Sequence, residues 1–250
     1  MTPTLAGRYR VVTADLRGYG ASFKPEATLD LSNYSFRAMA QDQLALMEAL
    51  GFSRFHVVGH DRGGRTAHRM ALDAPDRVAS LTVMDIVPTR HLWETWSAPV
   101  ATDYFHWTFL AQPAPFPERM IEADPDAFFE RCLLGWGSAK LADFPRIEAY
   151  RAAWRDPATI AGMCNDYRAA LRVDWDLDRT DAARRVGCPA LVLFGREGAM
   201  AKHYDVAATW QDYLDDMRAA AIPGGHFFVD QSPAETVRAI SAFLDGLPAL

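Results

Sequence analysis

A glycine-flanked turn between a short apolar strand and a helix constrains the fold of this chain more than any other feature of the sequence. The turn is Gly59-His60-Asp61-Arg62-Gly63, and the apolar run Phe55–Val58 precedes it directly. The helix is predicted to continue over Thr66–Leu72 and to stop near Pro75. A strand that turns sharply into a helix is typical of a parallel sheet with helices on its faces.

The same alternation of strand and helix occurs on both sides of this turn. Other strands are predicted where short apolar runs are bounded by Gly or Pro. They are Tyr9–Asp15, Leu81–Val87, Pro189–Phe194 and Met217–Ile222. Other helices are predicted at Ser35–Leu50, with Gly51 as its C-terminal cap, at Asp205–Leu214 and at Pro233–Leu244. The predicted fold class is therefore α/β, with a mostly parallel sheet flanked by helices.

The middle of the chain departs from this alternation. Residues 89–184 are rich in Trp and Phe, are predicted to be helical and contain no clear strand. We interpret them as a helical cap inserted between two strands of the sheet. The sheet core is then formed by residues 1–88 and residues 185–250.

Composition excludes several classes of protein. Half of the 250 residues are hydrophobic and the net charge is −6, without a basic tract, so neither nucleic acid nor a membrane surface is an expected partner. No apolar run reaches the roughly 18 residues that a membrane span needs. The three cysteines, Cys132, Cys164 and Cys188, have no close metal-ligand spacing and are expected to be reduced thiols. A cytoplasmic enzyme is the default interpretation.

Asp61 occupies the position in the glycine turn where many hydrolases carry a nucleophilic Ser. A Ser that displaces a leaving group from a saturated carbon would form an ether, which water does not easily cleave. An Asp forms an ester, whose carbonyl carbon water can attack, so the enzyme is regenerated. An Asp at this position therefore indicates displacement at a saturated carbon, in a carbon–halogen bond or an epoxide.

A general base for that water is predicted in the last third of the chain. His226 lies in Gly224-Gly225-His226-Phe227-Phe228, after a predicted strand and before the final helix. A carboxylate should hold its tautomer. Asp85, at the end of the strand after the Asp61 helix, is the favoured candidate, and Glu197, after a later strand, is the alternative.

Five segments, in order and covering nearly the whole chain, resemble the fluoroacetate and haloacetate dehalogenases of the α/β-hydrolase fold. They are Gly59-His60-Asp61-Arg62-Gly63-Gly64-Arg65, Asp85-Ile86-Val87-Pro88-Thr89, His106-Trp107, Gln112-Pro113-Ala114-Pro115 and Gly225-His226-Phe227. The resemblance implies that Asp61 is the nucleophile, His226 the base and Asp85 the orienting acid. The expected reaction converts a short haloacid and water into a hydroxyacid and a halide ion.

The resemblance also implies two binding sites. Arg62 and Arg65 would bind the substrate carboxylate, which a guanidinium matches with two parallel hydrogen bonds. His106, Trp107 and Tyr167 would bind the departing halide through their N–H and O–H groups. No metal or cofactor is implied, and a homodimer is implied by the resemblance alone.

Three departures from a complete dehalogenase remain open at this point. Epoxide hydrolases also use Asp and His but typically carry Trp where this chain has Arg62, which favours an acid substrate here. Family members also carry N-terminal strands and a His-Gly-Phe-Pro-like loop, and no such motif precedes Asp15. We therefore expect that these strands are missing, that open strand edges promote aggregation and that an oxyanion donor is lost. A non-catalytic fragment is the third alternative.

Overall fold

The computed structural model describes residues 1–248, in which four strands form one parallel sheet. In spatial order they are β1 (Phe55–His60), β2 (Val78–Met84), β3 (Ala190–Gly195) and β4 (Met217–Ile222). Each neighbouring pair is parallel. The predicted fold class, an α/β protein with a parallel sheet, is therefore confirmed.

The strand register brings the carboxyl ends of the strands to one edge of the sheet. His60 pairs with Met84 and Met84 pairs with Leu193. The next residue of each strand continues the ladder, because the Asp61 N–H donates to Met84 O at 3.2 Å and the Asp85 N–H donates to Leu193 O at 2.8 Å. Residues that follow directly after parallel strands are thus placed side by side, which is where open α/β sheets bind ligands.

Helices cover both faces of the sheet. Outside the segment between β2 and β3, they are α1 (Thr2–Ala6), α2 (Phe36–Ala49), α3 (Arg62–Asp73), α12 (Ala199–His203), α13 (Val206–Gln211), α14 (Phe228–Gln231) and α15 (Pro233–Asp245). Val192 packs into the layer that contains α3, whereas Leu191 and Leu193 pack into the layer that contains α15. All seven residues of β2 are buried, as expected for a strand covered on both faces.

The segment between β2 and β3 is helical, as predicted, and contains no strand within the described part of the chain. Its helices are α4 (Thr89–Glu94), α5 (Ala98–Asp103), α6 (Phe105–Leu110), α7 (Phe116–Glu122), α8 (Pro125–Gly135), α9 (Ile147–Trp154), α10 (Pro157–Ala169) and α11 (Trp175–Thr180). A π-helical turn, Ala170–Asp174, joins α10 to α11. The division into a core of residues 1–88 and 185–250 and a cap of residues 89–184 stays a prediction.

The predicted strand at Tyr9–Asp15 is wrong. This segment is irregular, and β1 pairs only with β2 among the described residues. A β-branched run forms a strand only where a neighbouring strand accepts its backbone hydrogen bonds, and Tyr9–Asp15 has no such neighbour within residues 1–248. Asp15 instead closes the turn that follows, since its carboxylate accepts the Ala21 N–H at 2.9 Å.

The other predicted elements are present, with shifted ends. Ser35 is the N-cap of α2 and accepts the Ala38 N–H at 3.2 Å, and Gly51 has a positive φ of 84° just after the helix. The helix predicted at Asp205–Leu214 is shorter, because Asp205 caps its start and it ends at Gln211. No helix within residues 1–248 is long and apolar enough to cross a membrane.

Candidate active site

The turn that carries Asp61 is held by close contact between two stretches of backbone. A Cβ atom at Gly59 would lie 2.2 Å from the Gly63 carbonyl oxygen, so only glycine fits there. At Gly63 itself a Cβ would meet nothing within 4 Å, so of the two flanking glycines only Gly59 is required for lack of space. Asp61 has φ 48° and ψ −118°, a conformation that non-glycine residues rarely adopt and that concentrates at functional sites.

His226 lies between two carboxylates. Its Nδ1 is 2.7 Å from Asp85 Oδ2, and its Nε2 is 3.8 Å from Asp61 Oδ2. Asp85 also has a positive φ, 53°, and its Oδ1 accepts the Gly195 N–H at 2.7 Å, which fixes the carboxylate. Glu197, the alternative acid, is in an exposed turn. The structure therefore brings together Asp61, His226 and Asp85 and leaves out Glu197.

The charges of this trio are coupled. Burial alone would lower the pKa of His226, but the carboxylates of Asp61 and Asp85 outweigh it and raise that pKa to about 9. Burial alone would raise the pKa of Asp61, but the His226 imidazole outweighs it and holds that pKa well below its ordinary value. At neutral pH Asp61 is thus an ionised carboxylate next to a protonated imidazole, as a nucleophile requires.

The two arginines next to Asp61 have different partners. Arg62 is paired with the buried carboxylate of Asp166, to which its Nε donates at 2.8 Å. Arg65 is 3% exposed and has no acidic partner within the described residues; its NH1 donates to Val87 O at 3.0 Å and to Thr89 Oγ1 at 3.1 Å. Burial, together with the charge of Arg62, lowers the pKa of Arg65 to about 10. A buried cation without a counter-ion favours a bound anion.

The three predicted halide-binding residues are also brought together. The rings of His106 and Trp107 are each 5.5 Å, centroid to centroid, from that of Tyr167. Burial lowers the pKa of His106 to about 3, so its imidazole is neutral, and the His106 Nδ1 has no hydrogen-bond partner among the described residues. Burial and Asp61 raise the pKa of Tyr167 well above its ordinary value, so its hydroxyl keeps its proton. A neutral imidazole, an indole and a phenol, each with a hydrogen-bond donor, thus lie in contact with one another.

Sequence reasoning missed two residues of this site. Asp166 was missed because only tertiary contact pairs it with Arg62, although a carboxylate next to Tyr167 was a signal that could have been followed. Trp136 was missed because nothing local distinguishes it from core packing. The centroid of its ring is 4.3 Å from that of His106 and 5.3 Å from that of His226. Its backbone carbonyl accepts the backbone N–H of His226 at 3.1 Å.

His60 supports the loop that carries His226. Its Nε2 is 2.8 Å from the His226 carbonyl oxygen, and burial lowers its pKa to about 4, so it is neutral. Within residues 1–248, no group of three or more His, Cys, Asp or Glu side chains is arranged to hold a metal ion.

Comparison with known proteins places this arrangement in a family. The model of the α/β hydrolase fold family matches residues 1–233. A fluoroacetate dehalogenase from Burkholderia sp. is 54% identical over 246 residues, which cover 98% of this chain and 81% of the relative. A soluble epoxide hydrolase from Corynebacterium sp. strain C12 is more distant, at 26% identity over 92% of this chain and 79% of that protein.

A solved structure agrees with the sequence relatives. A protein from Nostoc sp. PCC 7120, described as an α/β hydrolase, superposes with a TM-score of 0.95 at 43% identity, over 98% of this chain and 84% of that one. Because 43% of the residues are identical over nearly the whole chain, the two proteins share sequence as well as fold. The chain therefore belongs to the haloacetate dehalogenase family of hydrolases, within the α/β hydrolase fold.

Proposed function

We propose that this chain hydrolyses the carbon–halogen bond of a short 2-haloacid such as fluoroacetate or chloroacetate. The observation that carries the proposal is the buried Arg65, which has no acidic partner among the described residues and lies one helical turn after Asp61. A substrate carboxylate bound by Arg65 and Arg62 would hold its α-carbon near Asp61. Residues 89–184 act as the cap in this proposal, because His106, Trp107 and Tyr167 all come from them.

The reaction has two steps. In the first, an Asp61 carboxylate oxygen attacks the α-carbon, and the carbon–halogen bond breaks with its electron pair leaving on the halide. His106, Trp107 and Tyr167 donate hydrogen bonds to the developing anion. In the second, His226 has lost its Nε2 proton to solvent, because the ester has removed the Asp61 charge that favoured the protonated form. Its Nε2 then takes a proton from water, whose oxygen attacks the ester carbonyl carbon of Asp61. The ester C–O bond then breaks, the leaving oxygen takes the proton that His226 removed from water, and the hydroxyacid departs while Asp61 retains the oxygen atom of the water.

The test is halide release from chloroacetate and fluoroacetate by the wild-type chain, Asp61→Asn and His226→Asn. We expect turnover by the wild type and none by Asp61→Asn. His226→Asn should release about one halide per active site and gain the mass of one carboxymethyl group, because the ester forms but is not hydrolysed. Turnover that survives in Asp61→Asn would contradict the proposal.

A neutral substrate distinguishes an acid site from the epoxide alternative. Chloroacetamide has nearly the shape of chloroacetate but no charge, so its kcat/KM should be lower by at least about 100-fold if the arginines bind the acid. Hydrolysis of simple uncharged epoxides at a higher rate than of chloroacetate would favour an epoxide hydrolase instead. A cytoplasmic location remains a prediction from the composition and a homodimer remains one from the resemblance; light scattering after gel filtration tests the second.

A further inference from the structure

Asp166 holds Arg62 from one side in a fully buried ion pair. Its side chain is 0% exposed and accepts hydrogen bonds from both Nε, at 2.8 Å, and NH2 of Arg62. The Asp166 carbonyl accepts a further bond from NH2 at 3.2 Å. The carboxylate also accepts the hydroxyl of Tyr19, which comes from the N-terminal segment. Two separate parts of the chain thus fix the position of one guanidinium.

This contact leaves one nitrogen of Arg62 unused. NH1 of Arg62 is buried and has no hydrogen-bond partner among the described residues. The guanidinium carbon lies 4.1 Å from the ring centroid of Tyr167 and 5.1 Å from that of Trp107, so the group is among the proposed halide-binding residues. A guanidinium held on its Nε and NH2 edge keeps a rigid orientation for the remaining N–H groups, since the group is planar.

The pairing also sets the charge that a substrate meets. Arg62 is neutralised by Asp166, whereas Arg65 has no acidic partner within the described residues. The arginine pair therefore presents one uncompensated positive charge, which matches one carboxylate. Without Asp166 the two adjacent guanidinium groups would repel each other, and Arg62 would be free to move.

We propose that Asp166, with Tyr19, is a positioning residue that aims the free NH1 of Arg62 at the substrate carboxylate and limits the arginine pair, Arg62 and Arg65, to one uncompensated positive charge. This inference rests on the proposed function. The simpler alternative is an ion pair that only stabilises the contact between α3 and α10. The two differ because a positioning residue acts through Arg62, whereas a structural pair acts on the whole protein.

A double-mutant cycle separates the two interpretations. Asp166→Asn should lower kcat/KM for chloroacetate by about 30-fold, because a small misplacement of a binding group is costly. Arg62→Met should lower it at least as much. The double variant should match Arg62→Met within about threefold, because Asp166 has nothing left to position. It should also melt at a higher temperature than Arg62→Met, in which the buried Asp166 is unpaired.

Two further variants distinguish the loss of positioning from a general folding defect. Tyr19→Phe removes only one donor to Asp166 and should lower kcat/KM about fivefold in the wild type and less than twofold in Arg62→Met. Asp42→Asn breaks a similar two-contact pair with Arg17, at 2.8 and 2.6 Å, on the surface, and should leave kcat/KM unchanged. Additive losses in the cycle would overturn the inference in favour of a structural pair.

A binding measurement separates this inference from the proposed function. Acetate has the carboxylate but no leaving group, so it should bind without reacting. In the wild-type chain, acetate should shift the guanidinium NMR signals of both Arg62 and Arg65, and in Asp166→Asn the Arg62 shift should be lost. If these shifts are seen but no halide is released, the proposed function is contradicted and the inference about Asp166 stands. An unchanged Arg62 signal in the wild type would overturn the inference, whatever the turnover.

Discussion

Asp61 and Asp85 share a backbone feature that a sequence does not display. Both have positive φ values, 48° and 53°, directly after the parallel strands β1 and β2. Such conformations cost about 1–3 kcal/mol each and persist only where the surroundings enforce them. Here the enforcing contacts are the backbone hydrogen bonds that continue the ladder beyond β1 and β2. The backbone strain therefore lies at the two residues whose carboxylates flank His226.

The pKa shifts of Asp61 and His226 predict different pH dependences for the two steps. Attack by Asp61 needs an ionised carboxylate, and its lowered pKa keeps it ionised well into the acid range. Hydrolysis of the ester needs neutral His226. The ester removes the Asp61 charge, one of the two that raise the pKa of His226 to about 9, so this pKa falls below 9 in the intermediate.

We therefore expect steady-state turnover to fall about tenfold per pH unit below the pKa of His226 in the ester form, while the first halide burst persists. Rapid-quench measurement of halide release from pH 5 to pH 9 checks this. The burst should approach one halide per site as the pH falls. A burst and a steady-state rate that decline together at acid pH would contradict the assignment.

Arg65 illustrates a trade-off between stability and activity. Since it is a buried cation with no acidic partner among residues 1–248, Arg65→Met should leave the free energy of unfolding unchanged or raise it by up to about 2 kcal/mol. The same change should lower kcat/KM for chloroacetate by about 100-fold, equivalent to about 3 kcal/mol. Urea denaturation and halide release measure the two effects.

Arg69, one turn further along α3, is the matched control. It is also 3% exposed but pairs with Asp181 at 2.7 Å. Arg69→Met should therefore destabilise the fold by about 2 kcal/mol, because it removes the buried cation next to Asp178 and Asp181, although Arg184 still contacts Asp181 at 3.1 Å. The kcat/KM of the folded protein should stay near that of the wild type. Equal losses of stability in both variants would show that Arg65 is structural.

At the scale of elements, the turn between β1 and α3 depends on one of its flanking glycines. Gly59→Ala would force a Cβ into the backbone of Gly63, so we expect a loss of about 3 kcal/mol or more in the free energy of unfolding, and no turnover. Gly63→Ala has free space and a helical position, so it should be stabilising by up to about 1 kcal/mol. Thermal unfolding of both variants tests the contrast, and equal tolerance would refute it.

At the same scale, the π-helical turn Ala170–Asp174 connects the end of α10 to the start of α2. It follows α10, which carries Asp166 and Tyr167, and its last residue reaches the start of α2. Asp174 is buried, and its Oδ1 accepts the Phe36 N–H at 2.9 Å. Burial, together with the nearby Asp178 and Asp166, raises the pKa of Asp174 well above its ordinary value. A widened helical turn of this kind often occurs at functional sites.

At the scale of the molecule, residues 89–184 meet the sheet core where Gly137 touches Gly225, next to His226. Gly137 has φ 147°, and a Cβ there would lie 2.6 Å from the Gly225 Cα and 3.3 Å from the His226 nitrogen. Gly137→Ala should therefore displace the His226 loop, with a loss of about 2 kcal/mol in the free energy of unfolding and about tenfold in kcat.

Gly135→Ala is the control for this contact. Its Cβ would meet only the flexible end of the Arg131 side chain, within α8, so stability and kcat should stay near those of the wild type. Calorimetry measures the stability of both variants, and steady-state kinetics measures their kcat. If Gly137→Ala retained full kcat, the contact between the helical segment and the core would not position His226.

The sequence by itself determined the features that depend on local chemistry. Strand and helix alternation, the helical segment of residues 89–184, and the turn around Asp61 all follow from apolar patterning and from glycine and proline positions. The candidates Asp61, His226 and Asp85 could be named because each follows a recognisable strand or glycine-rich loop. Their proximity followed from the rule that parallel strands share one carboxyl edge.

Tertiary structure alone decided the features that depend on contacts between distant residues. Tyr9–Asp15 has the residues of a strand, but no neighbouring strand accepts its hydrogen bonds, so it is irregular. Asp85 rather than Glu197 reaches His226, because Asp85 is buried directly after β2 whereas Glu197 lies in an exposed turn. Arg62 has Asp166 as a counter-ion 104 positions away, whereas Arg65 has none among the described residues. Charge pairing is set by distance in space, which no local pattern encodes.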